Sequence, residues 1–436
     1  MRCLRPTFLP LLLAIGACTD QVTAPGVCPN FCPTDSLTVE DLVLTDVIRR
    51  DSAYSGYVQA YQGEALAVAN VPGVVDSRAL FLMSKTALAV SGGDTIPATL
   101  DSSWLHMNIV HRDPNGTNLW VKVYSLPLAL DSTTAFADLI PAFSAAPVDS
   151  ANIQALLADT VITDTILTKP WGGPFRTDGA GHVLRVVDAD SILSLYFALD
   201  SLQAPFSAGD SGQLAFGVRV AADTLAGVAL GTREMGRDAS VRRFYHYSLM
   251  IDSTRDSTVY AVAEQQSTFD SFVFDPPNPA LDSGAVASTL VVGGAPAVRS
   301  LVRVKVPSLL RDTADVVRAT LVLVPTAAVR AAAGDSFSVV ATPVVTDLGP
   351  KSPLNGNTSL WGRVTVRPGS ADTIRIELTD LVRAWSRDTT AATALVLSQR
   401  PEAATYAQIR FYSSRAPAFR PSLHVTYVRR FPFGAP

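Results

Sequence analysis

The residues with the most specific chemistry stand at the start of the chain. Arg2 and Arg5 precede a ten-residue apolar stretch, Phe8 to Ala17, that ends Ala14-Ile15-Gly16-Ala17-Cys18. The stretch falls short of the roughly 20 residues needed to span a hydrocarbon core. It has the layout of an export signal. Small side chains before a cysteine let a peptidase reach the backbone, and the thiol is the one good acyl-carrying nucleophile there. The pattern is that of a bacterial lipobox: residues 1–17 are expected to be removed and Cys18 to carry the lipid. Thr19, polar and not acidic, suits release to the outer membrane. Two thiols then remain, in Cys28-Pro29-Asn30-Phe31-Cys32. A disulfide between them is the default in an exported chain. No second pair or neighbouring histidine points to a metal there.

Other chemistry is thinner. Gly209-Asp210-Ser211-Gly212 has the look of a serine-protease nucleophile loop, yet that chemistry also needs a base histidine and a buried carboxylate. Gly-Asp-Ser/Thr recurs at Gly93-Asp94-Thr95 and Gly334-Asp335-Ser336, so a repeated turn explains all three. The five histidines are scattered, and His106 and His111, five apart, would face opposite sides of one strand. Calcium suits the aspartate-rich turns better, and Asp188 with Asp190 is the tightest acidic pair. No organic cofactor is expected. Glycoside cleavage would require two positioned carboxylates, and Glu is scarce. Sugar binding uses aromatic platforms beside polar side chains. Trp171, in Lys169-Pro170-Trp171-Gly172-Gly173-Pro174, and Trp361, in Ser359-Leu360-Trp361-Gly362-Arg363, are the two loop tryptophans that would serve. Either could instead close a sandwich corner. Trp104, Trp120 and Trp385 read as core.

The elements that must position these residues are strands. Trp104 to Val110, Leu119 to Tyr124 and Asp372 to Leu378 alternate apolar and polar residues, as half-buried strands do. Asp-Ser, Asp-Thr, Gly-Asp and Pro-Asn turns separate such runs. Asp149 to Leu157 reads as a short capped helix within an insertion near 131–170. A weak internal repeat is also present. Gln213-Leu214-Ala215-Phe216, Arg243-Phe244-Tyr245 and Ser248-Leu249-Met250-Ile251 run parallel to Ala394-Leu395-Val396-Leu397, Arg410-Phe411-Tyr412 and Ser422-Leu423-His424-Val425. The chain therefore divides into a signal (1–17), an anchor and linker (18–50), and two β-modules at 51–268 and 270–430.

The second module carries a resemblance. Ile374-Arg375-Ile376-Glu377-Leu378 runs into Thr379-Asp380-Leu381-Val382-Arg383-Ala384-Trp385, with Thr379 or Asp380 as helix cap. Ala394-Leu395-Val396-Leu397 and then Ile409 to Arg415 and Pro421 to Tyr427 follow. This resembles the DNRLRE (disaggregatase-related) β-sandwich modules, with Arg415 where that family often has Glu. The resemblance implies a jelly-roll-like domain on secreted or surface proteins, some members of which bind acidic polysaccharides. The first copy is looser and has Asp188 to Leu193 in place of the tryptophan corner.

Composition sets the outer bounds. The 436 residues are 48% hydrophobic and 17% charged, enough apolar content to order the chain. Basic residues are 30 Arg and 5 Lys, acidic ones 33 Asp and 6 Glu, a turn-rich and not a helical balance. A net charge of −4 offers no footprint for nucleic acid. The expectation is an all-β chain of two tandem antiparallel, jelly-roll-like sandwiches behind a lipid anchor. Its expected work is non-catalytic binding of polysaccharide at the cell surface. The alternative is a structural or adhesion role, with strand edges meeting another envelope protein. A carbohydrate-active enzyme comes last.

Overall fold

The computed structural model describes residues 39–430, apart from 85–87, 92–93, 114–115, 164–172, 189–191, 200–212, 237, 253–256, 284–287 and 332–335. The chain is all-β, built of antiparallel sheets with sandwich-like packing. No helix among the described residues is long and apolar enough to cross a membrane.

The largest sheet has fifteen strands. Its spine passes, in spatial order, through Trp120–Ser125, Gln213–Ala221, Val75–Ser84, Ala65–Val71, Ala226–Gly231, Asp94–Arg112, Ile192–Ala198 and Val183–Asp188. Alternate residues of a strand share a face, so Val123, Phe81, Leu66, Leu230, Met107 and Leu195 all enter one core. A sheet whose distant strands meet in one core must curl around its own inner face. The helix Ile153–Ala158 joins the two ends of that curl by adding Ile153 and Leu156 beside Leu184. Asn152 caps it, its side chain accepting the Ala155 N–H at 3.0 Å. The four residues before it, Asp149–Asn152, form an edge strand, so the helix starts later than its sequence suggests.

The outer face of this sheet is covered as well. Trp104 to Val110 reads as a strand with one wet face, yet Trp104, His106 and Asn108 are buried like their inward neighbours. A second layer, the aromatic Tyr196, Phe244 and Phe175 with the aliphatic Val183, packs with Trp104. Elsewhere residues 136–144, part of the expected insertion, lay Leu139 and Phe143 over Leu80, Leu82 and Ala215. Gly217 permits that approach, since a Cβ there would sit 2.4 Å from the Phe143 ring.

The second body is a two-sheet sandwich. A four-stranded sheet, ordered Val39–Leu44, Ser422–Arg429, Ala314–Leu323, Ile374–Glu377, faces a seven-stranded one that includes Ile48–Ser55, Val298–Val304, Ala394–Arg400 and Gln408–Tyr412. Leu321, Ile376 and Val425 meet Leu290, Leu397 and Phe411 between them. The helix Thr379–Arg387 closes one end with Leu381, Val382 and Trp385 in that core. Leu378 occupies the cap position, and neither Thr379 nor Asp380 does. The Thr379 hydroxyl instead accepts the Ala319 N–H at 2.8 Å, tying the helix to the neighbouring strand.

Residues 39–50 correct the sequence reading, which places them in a linker. Val39–Leu44 pairs with Ser422–Arg429, and Ile48–Ser55 pairs with Val298–Val304. Val47 and Ile48 lie in the second core. These strands escape notice because their partners lie more than 200 residues away. Polar residues such as Glu40, Asp41, Arg49 and Arg50 also mask their half-buried alternation. The described residues thus begin and end in the two-sheet sandwich, and the curled sheet lies between them in the chain.

The two bodies meet at a packed joint. The loop 401–407 of the second sends Tyr406 into the first core, where its ring lies 5.8 Å from that of Phe274. Glu402, buried, holds Arg299 in a two-pronged ion pair at 2.7 and 2.6 Å. Arg299 in turn covers the Tyr57 ring at 4.3 Å. Gly63 lets the loop in: a Cβ there would lie 2.5 Å from the Ala403 carbonyl oxygen.

Candidate binding site between the two sandwiches

An open trough of about 610 Å³ runs along this joint. One wall is the strand Phe269–Asp275, which pairs only with Val75–Ser84 and so forms a sheet edge among the described strands. The other walls come from residues 277–282 of the connection, the turn at Ala295 and Pro296, and the segments 59–61 and 132–136. Three aromatic rings line it at half-burial: Tyr61, Phe136 and Phe274. Each is braced from behind. Tyr61 lies 6.0 Å from Phe269, Phe274 leans on Tyr406, and the Arg78 guanidinium covers Phe136 at 4.2 Å. Arg78 is itself fixed by Asp76 at 2.7 Å, which also holds Arg219 at 3.0 Å. Side-chain amides from Gln59, Asn278 and Gln408 complete the lining.

A smaller cavity of about 330 Å³ adjoins the trough and shares Pro277, Asn278, Pro279 and Gln408 with it. Asn278 is the hinge post between the two. Its Nδ2 donates to the Tyr406 carbonyl at 3.1 Å, and its Oδ1 accepts from Arg330 Nη2 at 3.2 Å. Gly294, at φ +84°, leaves room for it, since a Cβ there would lie 2.7 Å from Asn278 Nδ2. Arg410 stands beside Arg330 and donates twice to Gln408 Oε1, at 3.0 and 2.8 Å.

Of the residues expected from sequence, those that are described do not line the trough. Cys18, Cys28, Cys32, Trp171, Asp190 and the Gly209 to Gly212 motif fall outside the described residues. Asp188 ends the strand Val183–Asp188, its backbone opposite Ile192. Trp361 is half-buried, and its indole N–H donates to the Asn355 carbonyl at 2.8 Å. Trp385 and Trp104 are buried, as expected. Trp120 is not, because its strand turns that face outward and its N–H donates to Asn118 Oδ1 at 3.0 Å. Among the described residues no group of three or more His, Cys, Asp or Glu is arranged to hold a metal ion.

Two histidines have marked surroundings. His182 lies between Asp149 Oδ1 and Asp178 Oδ2, each 2.7 Å away, and clasps the Asp149–Asn152 edge strand to the far end of the same sheet. Burial opposes its charge, but the two carboxylates outweigh burial and raise its pKa. His106 is the reverse case. Burial among Tyr196 and Phe244, with the Arg242 charge nearby, pushes it down to about 3.

Sequence reasoning missed the trough because its walls come from five separated segments. One signal was present. In Gln408-Ile409-Arg410-Phe411 the polar residues alternate with core residues, which places Gln408 and Arg410 on one outward face.

No protein-family model matches the chain, and no curated protein matches it either.

Proposed function

We propose that this chain is an exported surface protein, lipid-anchored through Cys18, that binds polysaccharide without altering it. The sugar lies in the trough between the two sandwiches. One observation carries this reading: three braced aromatic rings and three side-chain amides line the same trough. A sugar ring has an apolar face of C–H groups and a rim of hydroxyls, so it wants a flat ring beneath it and amides at its edge. Rings already held by neighbours lose little freedom on binding. Clefts at domain joints are a common place for such sites. The resemblance of the second sandwich to DNRLRE modules points the same way, as does the export signal. The placement at the cell surface and on the outer membrane belongs to this proposal.

The test is retention of the chain from residue 19 onward on a panel of insoluble and acidic polysaccharides. Tyr61→Ala and Phe136→Ala are expected to weaken retention about tenfold each, the usual worth of a stacking ring. Trp171→Ala and Trp361→Ala run alongside. Melting temperatures separate lost binding from lost folding, because Phe136 also packs on Arg78. Equal retention by the Tyr61 and Phe136 variants discards the trough. No retention of the parent chain on any polysaccharide discards the reading and favours a protein partner at the strand edge.

A further inference from the structure

Two positive charges share the smaller cavity, and among the described residues no carboxylate forms an ion pair with either. Gln408 and Arg410 occupy one face of their strand, and Arg330 is bridged to Gln408 through the backbone from the other side. The two guanidiniums therefore lie side by side, both half-buried on the cavity wall. Among the described residues their hydrogen-bond acceptors are amide oxygens, Asn278 for Arg330 and Gln408 for Arg410. Neither makes an ion pair. Nearby arginines fare differently: Arg299 and Arg400 share Glu402, and Arg303 has Asp347. Asp275 acts on Arg330 only from a distance.

This pairing is costly unless something offsets it. A half-desolvated cation next to another loses hydration and gains repulsion. Burial lowers the pKa of both groups, and the Arg330 charge lowers that of Arg410 further. A guanidinium has five N–H donors in a planar fork. Arg410 uses two of them on Gln408 and Arg330 one on Asn278, so most remain for a ligand. Such forks match the oxygens of a carboxylate or a sulfate.

We propose that the cavity formed by Arg330, Arg410, Asn278 and Gln408 is an oxyanion subsite, which takes a carboxylate or sulfate group borne by a sugar in the adjoining trough. The proposal rests on the polysaccharide reading for the carrier of the charge, and on the arginine pair for the charge itself.

The experiment uses the chain from residue 19 onward with four probes: a uronate oligosaccharide, the same oligosaccharide with its carboxyls reduced to alcohols, a sulfated oligosaccharide, and inorganic sulfate. Calorimetric titration is expected to give at least tenfold tighter binding of one charged oligosaccharide over the neutral one, and the preferred charge names the source. Arg330→Gln and Arg410→Gln are expected to abolish that preference, so that charged and neutral oligosaccharides bind alike. Their melting temperatures should not fall, since each removes a repulsion. Equal binding of charged and neutral sugars overturns the subsite and leaves the polysaccharide reading standing. If no sugar binds but inorganic sulfate raises the melting temperature of the parent and not of the variants, the subsite stands and the polysaccharide reading falls. If sulfate also has no effect, both fall.

Discussion

Among the described residues no group meets hydrogen-bond geometry with either ring nitrogen of His106, Asn108 only weakly favouring its charge from nearby, and the side chain is almost wholly buried. Its pKa of about 3 in the folded chain lies below the ordinary 6.5, so the unfolded chain takes up a proton that the folded one refuses. Stability from this residue is therefore complete above pH 6.5 and drains away as the pH falls toward 3. The loss is about 3 kcal/mol at pH 4 by linkage. Urea unfolding at pH 7 and pH 4 measures it, and His106→Phe, which suits the neighbouring rings, is expected to remove that part of the slope. A variant as acid-sensitive as the parent would refute the account. His182 has the opposite sign. Its raised pKa makes the clasp strongest below pH 6.5 and weakens it as the pH rises through the folded value, so His182→Asn should destabilise more at pH 6 than at pH 9. Sequence showed both histidines but neither environment. The carboxylates of Asp149 and Asp178 meet His182 only because a curled sheet brings its ends together.

At the scale of elements, strand periodicity was legible and its phase was not. The tripeptides Arg243-Phe244-Tyr245 and Arg410-Phe411-Tyr412 suggest equivalent strands. In the first, Arg243 lies opposite Leu105 on the inner face, wholly buried, while Phe244 joins the outer aromatic layer. In the second, Phe411 fills the core and Arg410 points out to the cavity. A shift of one residue exchanges the faces of every side chain, and nothing local in the tripeptide sets it. Neighbouring strands do. The tryptophan loops show the same limit. Trp361 carries an aromatic face as sequence suggests, but its N–H is occupied by the Asn355 carbonyl, which pins the loop 355–361. Trp361→Ala is expected to lower stability by about 2 kcal/mol through lost burial and a freed carbonyl. Polysaccharide retention should be unchanged. Thermal unfolding beside the retention assay checks both, and lost retention at full stability would return the site to Trp361.

For the whole molecule, the β-rich composition and turn chemistry sufficed for the fold class. The order of the parts needed coordinates. A chain shortened to begin at Gly56 would lack two strands and the core residues Val47 and Ile48. Burial of two such side chains alone contributes about 3 kcal/mol or more. The shortened chain is expected to lose the cooperative unfolding of the second sandwich, seen in the near-ultraviolet signal of buried Trp385. An unchanged transition would mean that residues 39–55 are dispensable. The same arrangement has a mechanical side. Among the described residues, a load entering from the N-terminal side first meets Val39–Leu44, held to the strand Ser422–Arg429 by six residue pairs, and then Ile48–Ser55, held to Val298–Val304 by seven more. A pull along such strands shears many backbone bonds at once, where a peel would open them singly. The trough lies downstream of this clamp, so if the N-terminus is tethered and a ligand held as proposed, tension between them would load both sheets of the second sandwich first.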